Sequence, residues 1–310
     1  MCIPETVEET ENRPLSPRNK GWCHMAKCGV CYRHCDIPEG GLGFCGARTN
    51  RNGSVTASNY GKITSLALDP IEKKPLNRFY PGSLILSAGS YGCNLRCPFC
   101  QNHEISWSEE AWKYAQTADE ISPEELAQTA AYYRDKGNIG VAFTYNEPLI
   151  GYEYVLDTAR LIRKMGMKTV LVTNGMAELS VLEALSPYVD AMNIDLKGFT
   201  DRYYKDVLKG SREMVMEFIS KAVRICHVEL TTLIVPGEND RDEEMEEQCT
   251  WIAGLSGVYG GKTGGDIPLH VSRFFPRFRM QDRKATEVKN VYHLAQIARK
   301  KLRYVYTGNC

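Results

Sequence analysis

From residue 84 onward, the chain alternates short apolar runs with longer amphipathic runs. The apolar runs have the length of buried strands, and the amphipathic runs repeat their apolar residues every three or four positions, as helices do. The predicted strands cover residues 84–90, 139–145, 168–173, 189–195, 228–235 and 269–275. Alternation of this kind predicts a parallel sheet with right-handed crossovers. The sequence therefore predicts an α/β fold of about six strand–helix units, which suits a partial, TIM-like (β/α)6 barrel.

Two of the predicted helices carry local start and stop signals. Ser122 can cap a helix whose first position is Pro123, and Glu125 completes a capping box. Gly166 follows the amphipathic run 152–165 and is suited to end it. These signals fix the limits of two crossover helices.

Polar, glycine-bearing or aromatic residues follow each of the predicted strands where it ends. These segments are the Cys93 loop and residues 146–148, 174–175, 195–197, 236–237 and 273–275. The carboxyl ends of parallel barrel strands meet at one face, where catalytic residues gather. Any one of these loops could be an ordinary polar loop. Their agreement predicts a single site at that face.

The first strand end carries three cysteines in a C-x3-C-x2-C spacing, at Cys93, Cys97 and Cys100. Thiolates are the ligands of iron–sulfur clusters, so three of them on one loop can hold three corners of a cubic cluster. The fourth iron would then lack a protein ligand, and an open metal position is typical of a reacting site. The alternative is a zinc knuckle, which would need a fourth ligand such as His103.

A second set of cysteines lies near the start of the chain, at Cys28, Cys31, Cys35 and Cys45. Four thiolates complete a tetrahedral site, which favours a structural zinc ion or an auxiliary iron–sulfur cluster over direct chemistry. The spacing does not separate these two alternatives. The glycines between residues 40 and 46 supply the turns that a small metal knuckle needs.

The composition argues against several classes of function. The 310 residues include 38 basic and 38 acidic side chains, so no excess charge favours binding to nucleic acid or to an anionic membrane surface. Apolar runs stay well short of the roughly 18 residues needed to span a bilayer. Twelve cysteines in ligand-like spacings, in a chain too large to need disulfides, predict a reducing, cytoplasmic location.

Three segments are predicted along the chain. Residues 1–20 mix Pro, Glu and Arg without an apolar core, which predicts a flexible tail and argues against a secretory signal. Residues 21–80 form an N-terminal Cys-rich segment, and residues 81–310 form the partial barrel.

Several motifs together resemble the AmmeMemoRadiSam-system radical S-adenosylmethionine (SAM) enzymes, which are relatives of the pyruvate formate-lyase activating enzymes. The motifs lie at residues 69–76, 81–83, 92–94, 100–102, 145–148, 193–198 and 274–276. The resemblance covers nearly the whole chain from Cys28 onward. It implies a radical SAM partial barrel with a 4Fe-4S cluster and SAM as cofactors, and a reductant such as flavodoxin or ferredoxin as partner. The implied reaction is reductive cleavage of SAM to a 5'-deoxyadenosyl radical, which abstracts hydrogen from a substrate that the resemblance does not identify.

The resemblance also implies roles for residues around the cysteine loop. Cys93, Cys97 and Cys100 match the cluster ligands, and Phe99 matches the aromatic residue that packs at the adenine of SAM. Glu147 stands in Tyr-Asn-Glu-Pro, where relatives carry Gly-Gly-Glu-Pro. It would accept a charge-assisted hydrogen bond from the SAM amino group.

Three further residues are implied at the later strand ends. Asn174 and Lys197 are placed for the ribose or carboxylate of SAM. Asp195 matches the aspartate that activating enzymes use, with a second aspartate, to hold a monovalent cation beside the sulfonium. Val172 replaces that second aspartate here, so a cation site would lose one hard oxygen ligand.

Two features of the sequence give an expectation about the substrate. The Val172 replacement and the missing ferredoxin-type insertion after the cysteine loop predict a small molecule or protein other than a glycyl-radical polypeptide. Two alternatives stay open. One is a glycyl-radical-enzyme activase, and the other is a non-catalytic iron–sulfur carrier or metal-binding adaptor.

Overall fold

The computed structural model describes residues 25–106, 108–117 and 120–310, and the tail predicted for residues 1–20 lies outside these ranges. The strands are β1 (Ala26–Lys27), β2 (Asp36–Ile37), β3 (Arg48–Arg51), β4 (Ser54–Ala57), β5 (Ser65–Pro70), β6 (Leu84–Gly89), β7 (Asn138–Phe143), β8 (Lys168–Thr173), β9 (Ala191–Asp195), β10 (His227–Ile234), β11 (Leu269–Arg273) and β12 (Val305–Gly308). Strands β5 to β12 form one eight-stranded sheet in sequential order. Strands β6 to β12 are parallel, and β5 pairs antiparallel with β6. The order places β5 and β12 at opposite edges of the sheet, which confirms the predicted partial barrel.

Helices connect the parallel strands. They are α1 (His103–Ser106), α2 (Glu109–Thr117), α3 (Pro123–Tyr132), α4 (Tyr152–Lys164), α5 (Leu179–Leu185), α6 (Arg212–Ala222), α7 (Asp242–Ala253) and α8 (Val288–Arg299). Helix α3 begins with the predicted capping box, and Gly166 follows the end of α4 with a positive φ of 69°. In the described part of the chain, no helix has the length and apolar character to cross a membrane.

The Cys-rich segment contains two small antiparallel pairs, β1 with β2 and β3 with β4. A buried arginine fastens it to the barrel. The Arg48 guanidinium lies 2.6 and 2.8 Å from the two carboxylate oxygens of Glu153 in α4, and it also donates to the Ile150 carbonyl at 3.3 Å. The segment therefore packs beside the start of α4.

Residues 71–80 close the floor of the barrel, at the amino ends of its strands. Ile71, Leu76 and Phe79 are buried there against apolar side chains of the sheet, which include Ile85 and Val170. Because β5 also belongs to the sheet, the sheet begins earlier in the chain than the boundary predicted at residue 81.

One buried carboxylate holds this floor in place. Glu229 of β10 is fully buried and accepts hydrogen bonds from the backbone N–H groups of Asn77 at 3.0 Å and Arg78 at 2.6 Å. The Nε2 atoms of His227 and His270 lie 2.9 and 2.7 Å from its oxygens. Burial alone would raise the pKa of Glu229, but these hydrogen bonds lower it to about 2. The carboxylate therefore stays ionised at the base of the barrel.

Replacing this carboxylate by an amide is expected to destabilise the protein. Glu229→Gln should lower the free energy of unfolding at neutral pH by about 2–4 kcal/mol, because it removes the charge that four donors share. The pKa in the folded state lies below the ordinary value of 4.5. The stabilisation is therefore present above about pH 4.5 and is lost as the pH falls toward 2.

Urea denaturation of wild-type and variant protein at several pH values measures this effect. Glu217→Gln, a change at an exposed position of α6, is the matched control and should leave stability unchanged. Equal stability of wild type and Glu229→Gln at neutral pH would show that the carboxylate does not hold the floor.

Candidate functional site

A cavity of about 280 Å³ opens at the carboxyl ends of the parallel strands. Residues 236–237 and 273–275, predicted at the same face, do not line it. The residues with predicted roles at the barrel mouth do line it: Cys93, Phe99, Cys97, Cys100, Glu147, Asn174, Asp195 and Lys197. They come from the loops after β6, β7, β8 and β9. The sheet brings them together because its parallel strands end at the same face.

The three thiols of the loop after β6 form one wall of the cavity. Burial raises the pKa of Cys93 well above its ordinary value and raises the pKa of Cys97 to about 11, so both thiols stay protonated until a metal binds. Soft donors on one side of an open cavity fit a cluster with three protein ligands. Across residues 25–106, 108–117 and 120–310, no three His, Cys, Asp or Glu side chains form a group suited to a single metal ion.

Gly92 allows the cysteine loop to pass close to the Cys-rich segment. Its φ is 95°, and a side-chain carbon at this position would lie 2.5 Å from the Ala47 side chain and 2.7 Å from that of Ile150. A larger residue would therefore push the loop away from its support.

Asn146, in the loop after β7, ties the same loop to the sheet. Its Oδ1 accepts a hydrogen bond from the Ser90 N–H at 3.0 Å. Its Nδ2 donates to the carbonyls of Tyr91 and Gly92, both at 3.2 Å. The sequence did not predict this role, because asparagine is an ordinary loop residue. Its place in the strand-end segment 146–148, next to Glu147, was the available signal.

Tyr145 takes the left-handed backbone conformation that glycine favours, with a φ of 73°. This conformation costs about 1–2 kcal/mol for a residue with a side chain. The phenol O–H donates to Asp69 at 2.8 Å, and the Lys74 ammonium lies 4.7 Å from the ring centre. Gly89 leaves room for the ring. Tyr145 therefore takes a glycine-like backbone conformation while its ring packs against Gly89.

Glu147 joins the ends of β7 and β8. Its carboxylate is buried and accepts hydrogen bonds from Leu149 N at 3.0 Å, Thr173 Oγ1 at 2.6 Å and Asn174 N at 2.8 Å. Burial raises its pKa to about 7, and the nearby Asp195 carboxylate acts in the same direction. Three of roughly four acceptor positions on the carboxylate are used within the protein, which leaves one for a ligand in the cavity.

The Asn174 side chain contacts the cysteine loop. Its Nδ2 donates to Asn94 Oδ1 at 2.9 Å and lies 3.9 Å from Cys93 Sγ. Its Oδ1 accepts from the Met176 N–H at 2.9 Å. Asn174 thus supports a cysteine of the loop, and its predicted contact with the ribose or carboxylate of SAM stays a prediction.

Asp195 and Lys197 form an ion pair at the end of β9, with Nζ 2.7 Å from Oδ2. Burial lowers the pKa of Lys197, but the negative charge of Asp195 and its hydrogen bond to the ammonium act in the opposite direction, and the net shift is upward. The ammonium therefore stays charged. It lies beside the one carboxylate of the predicted cation site, and Val172 also lines the cavity.

Phe99 belongs to the cysteine loop and contacts Phe274, which follows β11 on the far side of the barrel mouth. It is buried and packs edge to face on Phe274, with 6.3 Å between the ring centres. Its place in the cavity wall agrees with the role predicted for it beside an adenine, which stays a prediction.

The four N-terminal cysteines lie in the same small Cys-rich segment of the structure. Cys28, Cys31 and Cys45 are buried, and Cys35 is partly buried. The pKa of Cys31 is raised to about 11, mainly by burial and in smaller part by the nearby Cys45 and Cys28. Burial likewise raises the pKa of Cys45, with contributions from Cys28 and Cys35. These contributions indicate that the thiols lie near one another, but among the described residues no three of them form a group suited to a single metal ion, so a metal centre here stays a prediction.

A larger cleft of about 640 Å³ lies at the opposite, amino end of the strands. Lys168, Asp190 and His227 line it, and the Lys168 ammonium is 2.9 Å from Asp190. The residues predicted at the barrel mouth line the smaller cavity instead, so the predicted chemistry and this cleft lie at different ends of the barrel.

Comparison with known proteins decides the family. Residues 88–249 match the Radical SAM superfamily. This chain belongs to that superfamily. Membership implies a 4Fe-4S cluster and SAM as cofactors. The three thiols at the open cavity fit such a cluster.

Two relatives show the range of similarity. An uncharacterized protein of Methanocaldococcus jannaschii is 40% identical over 289 residues, which cover 92% of this chain and 82% of that protein. The pyruvate formate-lyase 1-activating enzyme of Escherichia coli (strain K12) is 28% identical over 158 residues, which cover 49% of this chain and 61% of that enzyme. The predicted relationship to the activating enzymes is confirmed.

A solved structure supports the fold. Streptococcus suis SuiB bound to S-adenosylmethionine aligns with a TM-score of 0.54 and 13% identity, over 73% of this chain and 52% of that chain. At this identity the likeness shows the radical SAM fold alone.

Proposed function

We propose that this protein is a radical SAM enzyme of the AmmeMemoRadiSam system that abstracts hydrogen from its substrate. With a 4Fe-4S cluster at Cys93, Cys97 and Cys100 and SAM bound, one-electron cleavage of SAM supplies the 5'-deoxyadenosyl radical for this step. The observation that carries the proposal is the meeting of these thiols with Glu147 and the Asp195–Lys197 pair in one cavity. An iron–sulfur carrier would have no use for a cavity built in this way.

The cavity residues have complementary tasks in binding SAM. The remaining acceptor position of Glu147 suits the SAM ammonium, and the charged Lys197 suits its carboxylate. Phe99 offers an aromatic face to the adenine. These residues orient the cofactor and exclude water, while the difficult chemistry belongs to the cofactor itself.

The side chains around Asp195 indicate the class of substrate. Lys197 places an ammonium 2.7 Å from the Asp195 carboxylate, and Val172 supplies no second carboxylate. This differs from the paired aspartates of the activating enzymes and supports a substrate other than a glycyl-radical polypeptide. The similarity to pyruvate formate-lyase activating enzyme keeps the activase as the second candidate.

We also propose that Cys28, Cys31, Cys35 and Cys45 hold a metal centre, either zinc or an auxiliary iron–sulfur cluster. Their ligand-like spacing in the sequence and the burial of three of the four thiols support this assignment. A centre at this position would stabilise the Cys-rich segment, because metal binding orders loops that have little core of their own. A flavodoxin or ferredoxin would supply electrons, in the reducing cytoplasm that the free cysteines suggest.

The substrate assignment has a direct test. Reconstituted protein is incubated without oxygen with SAM, a strong reductant and fractions of a cell extract, and 5'-deoxyadenosine release is measured. We expect a small-molecule fraction to accelerate the release, with deuterium passing from a labelled metabolite into 5'-deoxyadenosine. Stimulation confined to a protein fraction, with a stable glycyl radical on that protein, would establish the activase instead.

A further inference from the structure

The cleft at the amino ends of β8, β9 and β10 has no part in the proposed reaction. Its volume of about 640 Å³ lies within the range of pockets that hold small organic ligands. The residues that the proposed function uses line the cavity at the other end of the same strands. The cleft is therefore a separate place for a ligand, and its side chains indicate the class of ligand that it suits.

Positive charge dominates the lining of this cleft. Three lining residues are cations, and Asp190 is the one carboxylate among the described residues there. The cations are Arg163, Lys168 and Lys262. Asp190 is already paired, because its Oδ1 lies 2.9 Å from the Lys168 ammonium and its Oδ2 accepts from the Thr169 N–H at 3.0 Å. Arg163 and Lys262 form no ion pair within the described part of the chain, so two cations remain for an anionic ligand.

Aromatic rings line the same cleft. They include Tyr80, Tyr188 and Tyr259, of which Tyr80 is 51% exposed and Tyr259 is 53% exposed. Cations lie next to these rings. The Lys168 ammonium is 5.9 Å from the Tyr80 ring centre, and the Arg163 guanidinium carbon is 5.8 Å from that of Tyr188. Open rings beside cations suit a planar ring that carries an anionic group.

A tight glycine turn carries Tyr259 and Lys262 to the cleft. Val258 and Lys262 pair across the turn as an antiparallel bridge, and the glycines at 260–261 have φ of 76° and 71°. Glycine suits this left-handed backbone, and no other atom would lie within 4 Å of a side-chain carbon at either position. The Tyr259 N–H donates to the Val223 carbonyl at 2.7 Å, which fixes the turn to the end of α6. The turn thus holds an aromatic ring and a cation at the edge of an open space.

A buried histidine offers one more polar atom. His227, at the start of β10, lines the cleft and is only 8% exposed. Its Nε2 lies 2.9 Å from the ionised Glu229 carboxylate, so that nitrogen donates. Its Nδ1 has no hydrogen-bond partner among the residues that the structure describes. A polar atom without a partner, on a buried side chain in a cleft wall, is suited to a group of a bound ligand.

We propose that this cleft binds a nucleoside phosphate. The tyrosine rings stack on the planar base, and Arg163 and Lys262 bind the phosphate through charge-assisted hydrogen bonds. A simple anion would leave the rings unused, and a neutral nucleoside would leave both cations without a partner. SAM is disfavoured here, because its sulfonium and ammonium groups would meet an excess of positive charge. The cleft is thus a second ligand site, distinct from the cavity at the barrel mouth.

Calorimetric titration of the reconstituted full-length protein tests this site. AMP, GMP, CMP and UMP are titrated in turn, with and without SAM. We expect a single nucleotide to bind per chain in both conditions. The matching nucleoside and inorganic phosphate should each bind at least about tenfold more weakly, because each lacks one of the two kinds of contact. Failure of all four nucleotides to bind would overturn the proposal, and so would a nucleoside or inorganic phosphate that binds as tightly as the nucleotide.

Two variants locate the bound nucleotide. Lys262→Met should weaken it by about tenfold through loss of a charged partner, and Tyr259→Ala by about tenfold through loss of stacking. Both side chains are exposed, so the variants should fold, and circular dichroism verifies this. Lys301→Met, at an exposed position that does not line the cleft, is the matched control and should keep the wild-type affinity. Wild-type affinity in both cleft variants would place the nucleotide elsewhere and contradict the proposal.

These outcomes are independent of the proposed function, because binding at the cleft needs neither the cluster nor cleavage of SAM. Nucleotide binding by a protein that releases no 5'-deoxyadenosine would support the cleft and contradict the enzyme. SAM cleavage by a protein that binds no nucleotide would do the reverse. A nucleotide that SAM displaces would lie at the barrel mouth, which would overturn the assignment to the cleft.

Discussion

A variant with alanine at Cys93, Cys97 and Cys100 is expected to lose the iron–sulfur signal that responds to SAM and to release no 5'-deoxyadenosine above background. The three thiols are the only soft ligands that line the cavity at the barrel mouth, among the residues that the structure describes. Without thiolates an iron–sulfur cluster has nothing to bind it there. Electron paramagnetic resonance with and without SAM, together with chromatography of the products, measures both effects.

The control for this variant is Cys310→Ala, which removes an exposed thiol that does not line the cavity. This variant should retain the iron–sulfur signal and SAM cleavage. The N-terminal cysteines are unchanged in the triple variant, so any cluster that they hold should remain and should not respond to SAM. Reductive SAM cleavage by the triple variant would show that the cluster assignment is wrong.

Loss of the Glu147 carboxylate is expected to weaken SAM binding by about ten- to a hundredfold. One hydrogen bond to a charged group is worth roughly 1.5–3 kcal/mol, and Glu147 has one acceptor position left for the SAM ammonium. Calorimetric titration of Glu147→Ala with SAM measures the change. The variant should also be less stable, because Leu149, Thr173 and Asn174 lose their shared acceptor.

Glu147→Gln separates these two effects. The amide keeps one carbonyl oxygen for the hydrogen bonds at Leu149 and Thr173, so it should retain more stability than alanine. It removes the charge that a cationic ligand requires, so SAM affinity should still fall. Wild-type affinity in both variants would place Glu147 outside the SAM site.

The central strands of the sheet were predictable because each is a short apolar run between turn signals. The predicted and observed limits of these six strands differ by at most two residues at either end. The two edge strands were not assigned. Residues 65–70 of β5 are half exposed and end in Pro70, and β12 has only four residues, so neither gives a clear buried run.

The site was predictable for a geometric reason. Parallel strands end at one face, so Glu147, Asn174 and Asp195 could be placed together without any known distance between them. The supporting contacts were not predictable. Asn94 lies 80 residues from Asn174, and the hydrogen bond between their side chains depends on tertiary packing that no local pattern encodes.

The central claim is that the thiols of the barrel mouth hold a cluster at which SAM is cleaved. The most direct test is incubation of the reconstituted wild-type protein with SAM and dithionite in the absence of oxygen. The account predicts equal amounts of methionine and 5'-deoxyadenosine, which appear only with reductant and not in the triple cysteine variant. A protein that carries its full complement of iron and sulfide and forms neither product would contradict it.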